Sequence, residues 1–324
     1  MRANTLLSPL FVLLLLCIPA AAFSQKKNVQ KPMLTPEAAE TLHAMEDTLA
    51  ILANAVVNDS IEAERFAACK VLITNLVRAL KTPNSFQYPF DRLRSVSILT
   101  PPDSTFRIFT WQLFVNDSTY RYYGAIQMNT PELQLFPLID RSFELSDFPV
   151  TDQLTPERWY GALYYSLLPI GNTRQRAYLL FGYDAFTFFE KRKLIEVLSF
   201  DPNGKPVFGA QVFNRPDSVR TAAAAGPEMR LILQYSAEAA IKLNWVPQYE
   251  KILYDHLIPM PSPFGRGITK VPDGSYEGFN IVKGKLEYVN KVFNDVNPEV
   301  PMPEPILDNR KGKDLFGKPK RSRR

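Results

Sequence analysis

Apolar residues recur at alternating spacings of three and four from Leu42 through Met45, Leu49 and Leu52 to Val56. That places them on one stripe of a helix, and Thr35-Pro36 supplies a capping hydroxyl followed by proline at the first helical position. After Asn58-Asp59-Ser60 the spacing returns with Phe66, Cys69, Ile73, Leu76 and Leu80, and Lys81-Thr82-Pro83-Asn84 ends it. Two helices of similar length joined by a short polar turn predict an antiparallel helical hairpin over residues 34–82. Its stripe reads as a packing face, with Cys69 as a small core residue rather than a reactive thiol.

From Ser95 the period changes to two. Ser95–Leu99 reads as a short strand. In Phe106–Val115, Phe106, Ile108 and Phe114 share one face, and Phe109, Trp111, Leu113 and Val115 share the other. A strand apolar on both faces is buried on both. Asn116–Thr119 reads as a hairpin turn and Tyr120–Met128 as the returning strand. Leu133–Leu138, Trp159–Leu168 and Ala177–Tyr183 read as further strands, while Arg192–Phe200 fits a strand or a short helix. Asp201-Pro-Asn-Gly204 is a strong turn signal, with Val207–Phe213 expected to pair back. Leu231–Leu243 and Tyr249–Leu257 flank Asn244-Trp-Val-Pro247. Val271-Pro-Asp-Gly-Ser-Tyr276 reads as another turn, and Phe279–Val282 and Lys285–Val292 flank a tight hairpin at Lys283-Gly284. The predicted fold class is α+β, the hairpin being followed by a large antiparallel β-rich domain over residues 90–293. Sandwich, barrel and curved open sheet all fit this pattern.

The ends carry a different message. Arg2, the apolar run Leu10–Ile18, Pro19 and Ala20-Ala21-Ala22 have the order of a secretory signal peptide over residues 1–24, with cleavage before Phe23 or Gln25. The run is well short of the roughly 20 residues that span a bilayer. Cys17 follows four leucines, which does not suit a lipid anchor. The expected location is periplasmic or secreted, with no membrane span after cleavage. Only Cys69 then remains, so an internal disulfide is excluded and stability has to come from the core.

Net charge is +5 for the whole chain, yet residues 310–324 alone carry +7: Arg310, Lys311, Lys313, Lys318, Lys320, Arg321, Arg323 and Arg324 against Asp314. The rest is therefore mildly acidic. Prolines 298, 301, 303 and 305 make residues 294–309 a semi-rigid linker, and residues 310–324 read as a disordered basic tail. Those eight cations are candidate contacts for an envelope protein or an anionic cell-surface polymer. Aromatic and basic residues do not interleave in the folded part, so no nucleic-acid partner is expected.

Phe181-Gly-Tyr-Asp184, Lys191–Phe200, Gly204-Lys-Pro-Val-Phe-Gly209, Tyr254-Asp-His-Leu257 and Val271-Pro-Asp-Gly-Ser-Tyr276 resemble a family of secreted proteins from Bacteroidota over residues 90–293. The resemblance implies a bacterial envelope location and carries no catalytic residue across.

Motifs for catalysis are missing. There is no Gly-x-Ser-x-Gly, His-Glu-x-x-His, Walker or dinucleotide pattern, and no metal or other cofactor is expected. Asp184, Asp255, His256 and Asp273 form a candidate polar cluster, in which His256 can serve as a general base. Asp255 and His256 are neighbours on a strand, so their side chains point to opposite faces. Asp184, Glu190, Glu196, Asp255 and Asp273 are the carboxylates from which a glycoside-cleaving pair would have to come. Trp159, Tyr160, Tyr164, Tyr165, Tyr183 and Tyr276 suit either the core or a sugar- or peptide-binding platform. The favoured function is a non-catalytic binding or structural component of the cell envelope. The alternative is a periplasmic or secreted hydrolase with paired carboxylates in a β cleft.

Overall fold

Thr35 starts the first helix as its sequence suggests: its Oγ1 accepts a hydrogen bond from the Ala38 amide at 3.2 Å, and α1 (Pro36–Asn58) follows. The structure is a computed structural model describing residues 33–116, 119–146, 149–171, 176–220, 226–262, 265 and 267–293. Residues 1–24, 294–309 and 310–324, expected from sequence to be a signal peptide, a linker and a basic tail with its eight candidate contact residues, lie outside the described residues. Among those described, no helix is long and apolar enough to cross a membrane.

The second helix, α2 (Glu62–Leu80), packs on α1. Leu42, Leu49, Ala53 and Val56 of α1 are buried against Cys69, Leu72, Leu76, Ala79 and Leu80 of α2. The α2 stripe is rotated from the expected one, since Phe66 is 37% exposed and Leu72 and Ala79 are buried. A buried charge explains the rotation. Arg65 turns inward, where its guanidinium donates to the carbonyls of Phe114 at 2.6 Å, Asp59 at 2.7 Å and Val115 at 3.2 Å. Glu46 of α1 is also buried, accepting from the Tyr88 hydroxyl and the Arg92 amide, each at 2.7 Å.

Three sheets follow. The first is an antiparallel meander of β1 (Ser97–Leu99), β2 (Phe106–Asn116), β3 (Thr119–Met128) and β4 (Leu135–Ile139). Next in the chain come β5 (Leu163–Gly171), β6 (Arg176–Asp184), β7 (Glu190–Phe200), β8 (Pro206–Phe208), β9 (Phe213–Asn214) and β10 (Arg230–Ser236). The second sheet runs β10-β7-β6-β5, with β8 on β7. The third is β11 (Leu243–Val246), β12 (Lys251–Pro261), β13 (Ile268–Val282) and β14 (Lys285–Val289), ending in a parallel contact with β9.

The period-two pattern of β2 is used on both sides. Phe106 and Ile108 enter the core shared with the second sheet, while Phe109, Trp111, Leu113 and Val115 enter the core shared with the helices. The second sheet is likewise apolar on both faces. Tyr178, Leu180, Leu194 and Leu198 pack toward the first sheet, and Leu179, Phe181, Ile195 and Val197 toward the third. The cores therefore order the layers as helices, first sheet, second sheet and third sheet. Burial on both faces leaves the even positions of β6, β7 and β10 on the first-sheet side, so Asp184, Arg192, Glu196 and Arg230 share the Leu194 face.

Several expected turns come out differently. Val271–Tyr276 is a bulge within β13: Asp255 pairs with Tyr276 and Leu257 with Pro272, leaving one residue on β12 opposite three on β13. Gly274, at φ +89°, supplies the turn conformation without ending the strand. Of Val207–Phe213, only residues to Phe208 pair with β7, because Gly209 at φ +98° redirects the chain and Phe213 joins the third sheet. Asn244–Pro247 supplies most of strand β11, and the reversal comes later, at Pro247–Tyr249. Arg192–Phe200 is strand, and Trp159–Leu168 becomes strand only at Leu163. The hairpin at Lys283-Gly284 forms as expected, with both residues at positive φ and Val282 paired to Lys285.

Cys69 is 1% exposed, and burial pushes its thiol up. A thiol reagent is expected to leave the native protein unlabelled and to modify Cys69 only in denaturant. Rapid labelling of folded protein would place the thiol outside the core.

Candidate functional site

Strand β6 ends at Asp184, and the way the chain turns there builds a site. Asp184 Oδ1 accepts the Phe186 amide at 2.9 Å, and Phe186 takes φ +36°, a conformation rare for a bulky residue. The turn lays the Phe186 ring against Arg192 at the start of β7, with the guanidinium carbon 3.4 Å from the ring centroid. Lys191 ties the turn down through hydrogen bonds to the carbonyls of Ala185 at 3.0 Å and Thr187 at 2.7 Å. Asp184 also accepts from the Tyr122 hydroxyl of β3 at 3.2 Å and the Tyr160 hydroxyl at 2.9 Å. Arg192 donates to Tyr160 Oη at 3.4 Å and to Gln234 at 2.9 Å.

This network floors a cleft of about 340 Å³ between the first and second sheets. A short 3₁₀ turn after β4, Ser142–Glu144, forms one wall. Asp140 holds that turn by accepting the Ser142 amide at 3.0 Å and hydroxyl at 2.7 Å, and its other oxygen accepts the Tyr122 amide at 3.0 Å. The turn presents Phe143, 61% exposed, with Arg121 and Arg141 guanidinium carbons 5.1 and 5.9 Å from its ring centroid. Arg141 pairs with Glu144 at 2.8 Å, whereas Arg121 has no carboxylate partner among the described residues.

Burial pushes the Asp184 carboxyl up from its ordinary 3.8, against the hydrogen bonds it accepts. Burial and the neighbouring carboxyl hold Tyr122 and Tyr160 well above the usual phenol value. The folded protein thus keeps a proton on Asp184 to higher pH than the unfolded chain. Within that window the folded state binds more protons, so stability falls as pH rises from about 3.8 through the folded value. Asp184→Asn retains an acceptor for Phe186 and removes the titration. Wild type is expected to lose stability relative to this variant over that window, measured by urea unfolding at stepped pH. A constant difference would mean that Asp184 does not titrate above its unfolded value. Asp273, held down at about 2 chiefly by the Ser275 amide, acts with the opposite sign and cancels in the comparison.

The other three members of the expected cluster lie elsewhere, on β12 and β13. The bulge brings Asp273 to His256, with Nδ1 2.8 Å from Oδ2, while His256 Nε2 is 3.9 Å from Glu277. Asp255 forms no hydrogen bond with His256 among the described residues and accepts the Lys242 amide instead. Asp255, His256 and Glu277 line a polar pocket of about 230 Å³ with Arg215, Arg220 and Lys270. No hydroxyl or thiol hydrogen-bonds to His256 among the described residues, so no nucleophile–base pair is assembled there. His43 is exposed on α1.

The five carboxylates considered for glycoside cleavage do not converge. Asp184 is the only one of them lining the first cleft, and Asp255 the only one lining the second pocket. Glu196 is fully buried against Arg230, and Glu190 hydrogen-bonds to Gln234. Among the described residues, no three potential metal ligands cluster. Trp159, Tyr160 and Tyr164 are at most 2% exposed and belong to the core. Tyr165 hydroxyl donates to the Leu243 carbonyl at 2.7 Å, and Tyr276 packs edge-on to Phe293.

No known family model matches this chain, and no curated protein matches it in sequence.

Sequence reasoning missed Arg121, Tyr122, Phe143 and Phe186. Tyr122 and Phe186 derive their roles from the turn at Asp184, and Phe143 from a 3₁₀ turn that leaves no periodic signal. Asp140, followed two residues later by Ser142, was the available cue to that turn.

Proposed function

We propose that this chain is an exported, non-catalytic binding protein of the bacterial cell envelope, with the Asp184 cleft as its ligand site. In this reading a helical hairpin covers the first of three stacked sheets, the cleft selects the ligand, and the basic tail adds affinity for an anionic cell-surface polymer. The signal-like first residues and the Bacteroidota resemblance support export. One observation carries the binding role: among the described residues the cleft offers Arg121, which has no carboxylate partner there, and the exposed ring of Phe143, while Asp184, the one carboxylate among its described lining residues, is engaged by two tyrosine hydroxyls and a backbone amide. A second carboxylate, which hydrolysis would need, does not line it among the described residues.

The test is to incubate the full mature chain with a solubilised envelope polysaccharide fraction and follow amide exchange and release of reducing ends. Protection over residues 119–122 and 142–146 without release of reducing ends is the expected result. Release abolished by Asp184→Asn would establish the hydrolase instead. N-terminal sequencing of protein from the periplasm or medium is expected to begin at Phe23 or Gln25. Deleting residues 310–324 is expected to leave folding intact and reduce envelope association in cell fractionation. Unchanged fractionation would remove the tail from the mechanism.

A further inference from the structure

The charge and shape of the Asp184 cleft narrow its ligand. Its described lining residues include three formal charges, on Asp184, Arg121 and Arg192. Arg192 lies beside Asp184 at the floor, and its charge offsets that of the carboxylate. Among the described lining residues Arg121 is left as the net charge, which favours an anionic group. Thr119, Tyr120 and Ser146 also line the cleft, and their hydroxyls make no hydrogen bond among the described residues. Each hydroxyl can donate and accept, which suits a ligand bearing several hydroxyls.

The mouth adds an aromatic face. Phe143 sits on a turn pinned by Asp140 and is flanked by two guanidinium groups. A ring held in place before the ligand arrives loses little entropy on binding. Aromatic face, arginine and hydroxyls together match the C–H face, the acid group and the hydroxyls of one kind of molecule.

We propose that the cleft binds a carboxylate-bearing sugar residue of an envelope polysaccharide, its acid group on Arg121 and its ring face against Phe143. The proposal rests on the reading of this cleft as the ligand site. About 340 Å³ lies at the small end of ligand pockets and fits a single sugar residue with its substituents.

Calorimetric titration of the full mature chain with galacturonic-acid trisaccharide and the matching neutral galactose trisaccharide tests it. The acid is expected to bind more tightly than the neutral sugar by about tenfold or more, the scale of a charge-assisted hydrogen bond. Arg121→Gln is expected to abolish that preference, and Phe143→Ala to weaken both sugars. Circular dichroism should show both variants folded, since neither side chain belongs to a core. The basic tail is present in every protein compared, so a loss of preference in Arg121→Gln belongs to the cleft. Equal affinity for the two sugars, or a preference that survives Arg121→Gln, overturns the assignment. If neither sugar binds while the envelope fraction still protects residues 119–122 and 142–146, the ligand class is wrong and the binding site stands. If that protection is also absent, both readings fall.

Discussion

Glu196→Ala is expected to destabilise the protein by about 3–5 kcal/mol, because it leaves a buried guanidinium without its counter-charge. Glu196 on β7 and Arg230 on β10 are both fully buried, with Nε 2.9 Å from Oε1. They lie directly opposite each other in the β7–β10 register. The second carboxylate oxygen accepts the Tyr164 hydroxyl at 2.8 Å, and that hydroxyl accepts the Trp159 indole N–H at 2.8 Å. Arg230 also donates to the Pro149 carbonyl, while its Nη2 has no partner among the described residues. Truncating Glu196 therefore strands a charge and a phenol within the same core. A loss of this size is a large share of a typical stability of about 5–15 kcal/mol. The double variant Glu196→Leu/Arg230→Met removes both charges and is expected to recover most of the loss, since an apolar pair avoids the desolvation cost. Denaturant midpoints for the two proteins and wild type decide it. A single variant within about 1 kcal/mol of wild type would show that water or another group takes over the guanidinium.

That pair also shows where sequence patterning stops being informative. Alternation in β2 correctly divided Phe106 and Ile108 from Phe109, Trp111, Leu113 and Val115, because a strand has only two faces and both were apolar. The same alternation in β7 reads Arg192, Leu194, Glu196 and Leu198 as one half-polar face, the ordinary signature of a solvated surface. Here that face is buried, because each charge meets a partner on a strand distant in sequence. Arg65 and Glu46 misled the helical stripes for the same reason, their partners being the end of β2 and the Tyr88–Arg92 segment. Turn chemistry was legible as local conformation. Whether it closed a hairpin or only bulged a strand was not: Pro272-Asp-Gly274 and Lys283-Gly284 carry similar signals, yet only the second reverses the chain.

The candidate site was legible in fragments. Asp184 was singled out for its phrase, and His256 with Asp273 for their chemistry, but the spacing did not show that they belong to two separate places. Their separation follows from layering, since Asp184 closes β6 on the first-sheet side and His256 lies on the third sheet. Arg121 and Phe143 belong to the first sheet and the turn after it, so they reach Asp184 only once the first two sheets are stacked.

Arg107→Met is expected to cost about 3 kcal/mol or more, although it removes a buried charge. Arg107 lies on the helix-facing side of β2, 2% exposed, and forms no ion pair among the described residues. Its guanidinium donates to Gln127 Oε1 at 2.8 Å and to the carbonyls of Tyr88 at 2.6 Å and Ser85 at 3.0 Å. The rings of Phe86, Phe90 and Phe109 lie within 5.4 Å of its central carbon. Burial pulls the guanidinium down to about 9, so it remains charged at neutral pH. The bonds continue into the helices: Gln127 Nε2 donates to Ser85 Oγ at 3.0 Å, and Ser85 Oγ donates to the Leu80 carbonyl at the end of α2 at 2.7 Å. Methionine fills much of the volume but strands three acceptors, each worth about 1–3 kcal/mol when buried and unsatisfied. Relief of the desolvation cost offsets part of this. Arg107→Lys keeps the charge but lacks the planar fork that reaches three acceptors at once, so it should recover little. Chemical denaturation measures both variants, and amide exchange in the last turn of α2 should rise in each, because Arg107 anchors that turn through Gln127 and Ser85. Methionine as stable as arginine would mean that the aromatic cage, rather than the hydrogen bonds, joins the helices to the first sheet.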